Sequence, residues 1–191
     1  RVLATPAGEQ PRPRLAVWEL TLRCDQKCIH CGSRAGAARP DELDTEEALR
    51  LVGDLRALGV GEVTLLGGEA YLRNDFILVI RAIRAAGMAC TLTTGGLNLT
   101  AERCAAMVEA GVSSVNLSID GTEAAHDALR GVPGSWRRAF AALEHLRAAG
   151  AQRAVNTQIN RLSLAGLEDL QEQLLAAGIR GWQLQITAPF G

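Results

Sequence analysis

Apolar and polar positions along the chain recur in units. Five times, a stretch with helical spacing closes on a glycine and leads into a short run suited to a strand. These fragments are ALGVGEVTLL, AAGMACTLTT, EAGVSSVNLS, AAGAQRAVNT and AAGIRGWQLQ, with their glycines at Gly59, Gly87, Gly111, Gly150 and Gly178. Glycine after Ala or Leu fits the left-handed residue that ends a helix. Helix starts are visible too: Asp44 with Glu47 predicts a capping box, and Thr100 and Ser135 predict N-caps. The buried stripe of the first helix is predicted as Ala48, Leu51, Leu55 and Leu58. With an opening strand, the pattern predicts six strands over 17–22, 62–66, 89–94, 113–119, 153–159 and 182–187, alternating with five helices. A short extra helix over 122–129 fills the one long interval. Regular alternation of strand and helix implies a parallel sheet with right-handed crossovers.

Alternation within the strands says how that sheet is shaped. Val115, Leu117 and Ile119 share one face of the fourth strand, with Asn116, Ser118 and Asp120 on the other. The fifth sets Val155, Thr157 and Ile159 against Asn156, Gln158 and Asn160, and the sixth Leu184 and Ile186 against Gln183 and Gln185. The first opposes Trp18, Leu20 and Leu22 to Glu19 and Thr21. Helices must cover the apolar faces, so the polar faces look into a shared interior that is wet or liganded. An eight-stranded barrel normally fills its lumen with branched apolar side chains. The expectation is therefore an α/β fold, a partial (β/α)6 barrel with a polar lumen; the alternative is a flat open sheet with satisfied polar residues.

Composition narrows the function classes. The chain has 191 residues, 48% of them apolar and 21% charged, which is one domain with a packed core. The 20 Lys and Arg against 21 Asp and Glu offer no basic footprint, so nucleic acid is not an expected partner. The longest strongly apolar stretch, 76–80, is far shorter than the roughly 20 residues of a membrane helix, so no membrane span is expected. Residues 1–14, opening RVLATPAGEQPRPR, read as a flexible leader without an apolar signal core, ahead of a domain over 15–191. Five cysteines, three of them within 24–31, argue for reduced thiols that bind something, and hence for a cytoplasmic setting.

Ligands of parallel α/β proteins collect at the carboxyl ends of the strands. Here those ends carry RCDQKCIHCGS, GGEA, TTGG and SIDG. Cys24, Cys28 and Cys31 have the spacing Cys-x-x-x-Cys-x-x-Cys, and three thiolates on one loop can each hold one iron of a cubane while the fourth iron stays open. Zinc is the alternative, since Cys₃His sites exist and His30 sits between two thiols; Cys90 and Cys104 lie at no ligand-like spacing and read as small buried hydrophobes. Gly67 and Gly68 permit a close approach of backbone to a ligand, and Glu69 can accept a bond from an ammonium group.

The triple-cysteine motif after the first strand, Gly67-Gly68-Glu69 after the second and the six repeats together resemble the radical S-adenosylmethionine (radical SAM) enzymes over residues 15–191. The resemblance implies that Cys24, Cys28 and Cys31 hold a [4Fe-4S] cluster whose unique iron is chelated by SAM. A low-potential donor such as a flavodoxin or ferredoxin would supply the electron that cleaves SAM to a 5′-deoxyadenosyl radical. It further implies that Glu69 meets the methionyl amine, His30 lies beside adenine and Ser118 contacts ribose or carboxylate. Ala70 stands where proline is common in the family, and Thr93 and Thr94 stand where it often has asparagine.

Thr94, by its place at the end of the third strand, and Asn156 and Gln158, by their inward parity, are candidates for SAM, and Gln183 and Gln185 at the far edge of the sheet for substrate. Asp120 either orients substrate or caps the extra helix; His126 and Arg130, four apart, are expected on a solvated face, and His145 is expected to be structural. Trp136 and Phe140 read as core. The strings VWELTLRCDQKCIHCGSRAG, GGEAYLRNDF and SIDG are similar to SPASM-type members, which implies a peptide or protein substrate and peptide maturation. In that subgroup a C-terminal extension carries further cysteines, which the core here is expected to lack. A small-molecule cofactor precursor is the alternative substrate, and a non-catalytic metal-binding module the alternative from another class.

Overall fold

The computed structural model describes residues 12–187. The expected leader lies outside them as far as residue 11, and its last residue, Arg14, offers its carbonyl to Gly61 N and Glu62 N at the start of the second strand. Six strands form one parallel sheet in sequential order: β1 (Leu15–Glu19), β2 (Glu62–Leu66), β3 (Ala89–Thr94), β4 (Ser114–Ser118), β5 (Gln152–Ile159) and β6 (Gly181–Ile186). Between them run α1 (Thr45–Ala57), α2 (Phe76–Ala85), α3 (Ala101–Glu109), α4 (Glu123–Arg130), α5 (Ser135–Ala148) and α6 (Leu167–Ala176). The helix at α4 is the extra one expected over 122–129.

Local signals set most boundaries as expected. All five closing glycines have positive φ, from 65° at Gly178 to 100° at Gly111. Asp44 and Glu47 form a reciprocal capping box, and Thr100 caps α3. Ser135 is not the cap of α5. The cap is Gly134, and Ser135 Oγ donates to Asp127 Oδ1 (2.9 Å), which also accepts from Trp136 N, while Oδ2 takes Gly134 N. A carboxylate of the preceding helix therefore satisfies the free amides of α5. In α1 the buried residues are Ala48 and Val52; Leu58, expected inside, falls at the C-cap and is exposed.

One core lies between the sheet and the helices. Val63, Leu65, Cys90, Leu92, Val115, Leu117 and Val155 point into it from the strands, with Ile80, Ile83, Met107, Leu143, Leu146 and Leu170 opposite. Cys104 is fully buried beside them, as is Cys90, and Trp136 and Phe140 stack on the rim with ring centroids 4.2 Å apart. The other face of all six strands borders a single cavity of about 620 Å³, so the sheet is curled around it. At β1 the interior differs from expectation. Leu15 and Val17 line the cavity, whereas Glu19 pairs with Ser33 and Arg39, and Thr21 is buried with its hydroxyl on Glu42. One wall of the cup is apolar and the opposite wall polar.

Candidate active site

The loop after β1 is fixed on three sides. Cys24 N donates to Gly36 O and Gly36 N to Leu22 O, closing it on itself. Lys27 N and Ile29 N donate to Arg130 O (3.1 Å) and Leu129 O (2.9 Å), two carbonyls at the end of α4 that lack helical partners. Gly68 N and Glu69 N donate to Thr21 O and Arg23 O, both at 2.7 Å. A Cβ on Gly67 would stand 2.2 Å from Thr21 O, and one on Gly68 2.3 Å from Arg23 O. The close approach read into these glycines is thus an approach to the root of the cysteine loop, while both also border the cavity.

Cys24, Cys28 and Cys31 are half-buried free thiols on the cavity wall. Each sulfur has one N–H donor: Gln26 N to Cys24 (3.4 Å), Arg130 Nη1 to Cys28 (3.8 Å) and Ala35 N to Cys31 (3.4 Å). Burial pushes the Cys24 thiol up to about 12, and burial also raises Cys28 against the pull of Arg130, so metal binding here releases protons. The donor set fits an iron–sulfur cube: three separate sulfurs on one wall, each already offered a hydrogen bond, with the buried Gln26 Nε2 beside them unpartnered among the described residues. Among the described residues no three His, Cys, Asp or Glu side chains converge on one point, as the alternative of a single zinc ion requires.

Glu69 is buried at the mouth of β2. Its Oε1 accepts from Gly95 N (2.7 Å) and its Oε2 from Thr94 Oγ1. Burial pushes the carboxyl up to about 8 against these two bonds. Thr94 also accepts from Gly96 N, so its hydroxyl holds the carboxylate and the turn together. Behind them Tyr71 OH and Asn98 Nδ2 both donate to Asp25 Oδ2 at 2.8 Å. That trio joins three segments and left no signal in local spacing.

Asp120, His126 and Arg130 depart from expectation. His126 and Arg130 are buried rather than solvated, with Leu129 between them completing an inward stripe on α4. Asp120 does not cap α4, because Thr122 does. Nor does it border the cavity. Its Oδ1 accepts from Gln158 N (2.8 Å) and its Oδ2 from Arg130 Nε (2.8 Å) and Nη2 (2.6 Å). Its amide donates to His126 Nδ1, and His30 Nε2 lies 3.7 Å from Oδ2. Burial lowers the pKa of both histidines, His126 to about 4. His145, as expected, is engaged structurally, with Nδ1 3.1 Å from Leu99 O.

The remaining candidates come together. His30, Thr94, Ser118, Asn156, Gln158, Gln183 and Gln185 all border the cavity that holds the three thiols, Gly67, Gly68 and Glu69. Gln158 Nε2 donates to Gln185 Oε1 (3.0 Å) across β5 and β6. Among the described residues the one arginine or lysine on the cavity wall is Arg130, and it is paired with Asp120.

Comparison with known proteins follows the same outline. The model of the Radical SAM superfamily matches residues 18–169. AdoMet-dependent heme synthase of Oleidesulfovibrio alaskensis is 32% identical over 183 residues, covering 95% of this chain and 47% of the relative. Mycofactocin maturase MftC of Mycolicibacterium smegmatis is 32% identical over 177 residues, covering 92% and 44%. The chain spans about half the length of the curated relatives it matches. Streptococcus suis SuiB bound to S-adenosylmethionine superposes with a TM-score of 0.83 at 18% identity, covering 94% of this chain and 42% of that one, a likeness of fold.

Proposed function

The chain belongs to the radical SAM superfamily, whose members bind a [4Fe-4S] cluster and S-adenosylmethionine, and from that premise we propose that it is the core of an enzyme abstracting hydrogen from a peptide or protein. The observation that carries the reading is the opening of Cys24, Cys28 and Cys31 onto the cavity shared by Glu69 and the polar strand ends. When bound, the cluster and SAM supply the electron and the 5′-deoxyadenosyl radical. The chain's residues hold and orient. The three thiolates would hold the irons, and the Glu69 carboxylate, fixed by Thr94 and Gly95, would accept from the methionyl ammonium. His30, Gly67, Gly68, Ser118, Asn156 and Gln158 border the cavity and would meet the nucleoside, and Gln183 and Gln185, on the same cavity, would meet substrate. A low-potential protein such as a flavodoxin or ferredoxin delivers the electron.

The wall chemistry favours peptide groups. Amide side chains donate and accept at once, as a peptide bond does, and the wall's arginine is already paired among the described residues. A second reading, a tetrapyrrole substrate, draws on the heme synthase relatives, which match nearly the whole chain. The test is anaerobic reconstitution followed by SAM and dithionite. Release of 5′-deoxyadenosine, lost in Cys28→Ala, is the expected result; an iron-free chain overturns the reading. Faster release with a peptide substrate than with an iron porphyrin carrying propionates supports the first reading, and the reverse supports the second.

A further inference from the structure

The three cysteine sulfurs are not equivalent. Cys24 and Cys31 receive backbone amides, which only proline in place of Gln26 or Ala35 would remove, whereas Cys28 receives the guanidinium of Arg130. Arg130 is buried and its three nitrogens are divided: Nε and Nη2 lie on Asp120 Oδ2, leaving Nη1 for Cys28 Sγ. Asp120 is in turn immobilised by Gln158 N on its other oxygen and by its own amide on His126. The backbone of the same arginine accepts from Lys27 N, one residue before the ligand.

Hydrogen bonds and charge at the sulfurs set the reduction potential of an iron–sulfur cluster. We propose that Asp120 is a positioning residue that aims Arg130 at the Cys28 sulfur, making the Asp120–Arg130 pair the element of this chain that raises the potential of the bound cluster. The proposal rests on the cluster reading above. A lone arginine on a flexible stem would sample many rotamers; the forked contact to one carboxylate fixes the plane and direction of the guanidinium. Lysine cannot replace it, because a single ammonium does not reach carboxylate and sulfur together with the same geometry.

The direction of the effect separates aiming from simple charge. Removing the negative charge of Asp120 would, through the field alone, make the cluster easier to reduce. If Asp120 acts by aiming Arg130, its loss releases the donor from the sulfur and makes the cluster harder to reduce. The experiment is spectroelectrochemical titration of the anaerobically reconstituted chain without SAM, with iron and sulfide counted per chain, for Asp120→Asn, Arg130→Met and Arg130→Lys. The expected result is a shift to more negative midpoint in all three, at least tenfold in the reduction equilibrium, which is 59 mV for one electron. Asp120→Asn added to Arg130→Lys should then bring no further negative shift, only the positive one of the lost charge, because the aiming is already gone. Arg130→Lys keeps a charge beside Asp120 and stays measurable if Arg130→Met does not fold, since opening a buried pair is strongly destabilising. A midpoint that stays put or moves positive in Asp120→Asn overturns the proposal. A wild-type chain that binds no iron overturns the cluster reading instead, so the two failures are distinct.

Discussion

Glu69 shows how much of a site resides in the surroundings of one residue. The sequence marks it as a carboxylate after two glycines; burial decides its state, and burial is set by Thr94, Gly95 and the packed turn that the sequence does not connect to it. With the carboxyl pushed from 4.5 up to about 8, the folded chain binds a proton more tightly than the unfolded one. The stability this contributes is complete below about pH 4.5 and is lost as pH rises through about 8. Urea unfolding of the metal-free chain at pH 5, 6, 7 and 8 should show a falling free energy, with a slope from this group of up to about 1.4 kcal/mol per pH unit. Glu69→Gln should remove that slope and leave the chain more stable than wild type at pH 8; equal pH profiles for the two would mean that the carboxyl is ionised throughout. An ammonium ligand acts in the opposite sense, favouring the ionised form in which the residue serves as its acceptor.

Between elements, the loop carrying the thiols is held by neighbours at its back, and glycines let them close in. Gly68→Ala places a methyl 2.3 Å from Arg23 O, a backbone atom that cannot swing aside. Gly87→Ala meets nothing within 4 Å and bears only the penalty of φ +79°, about 1 to 2 kcal/mol. Iron bound per reconstituted chain should therefore fall sharply in Gly68→Ala and stay at the wild-type level in Gly87→Ala, although both lower the melting temperature. Asp127→Ala removes three hydrogen bonds at the start of α5 and should reduce the unfolding free energy by about 1 to 2 kcal/mol, measured in urea. Signals confined to a few adjacent residues were legible: the five closing glycines, the Asp44 capping box and Thr100 all act within one turn. Asp127 acting on α5, or Arg130 on Cys28 at a separation of 102 residues, depends on which helices meet, and period counting carries no such information. Arg130 had one local sign, its place beside Leu129 on an inward stripe, which charge alone obscured.

At the scale of the whole molecule, alternation gave the curl of the sheet because helices cover the apolar face of the inner strands, and the polar remainder has to go somewhere. It failed at β1, where Leu15 and Val17 face the cavity and the polar residues of like parity are consumed by Glu42, Ser33 and Arg39. The curled sheet has two edges, and they differ. At β6 the outward side chains Leu184 and Ile186 are 48% and 86% exposed, and among the described residues the strand is bonded to β5 alone. In the middle, Cys90, Leu92, Val115 and Leu117 on β3 and β4 are fully buried, with partners on both sides. Local opening follows the number of buried contacts and bonds that must break together. Native-state hydrogen exchange of this chain should therefore release the β6 amides first, through openings far smaller than global unfolding, while β3 and β4 exchange only when the whole sheet unfolds. Protection of β6 equal to that of β4 would mean that its exposed apolar face and free edge are covered in solution.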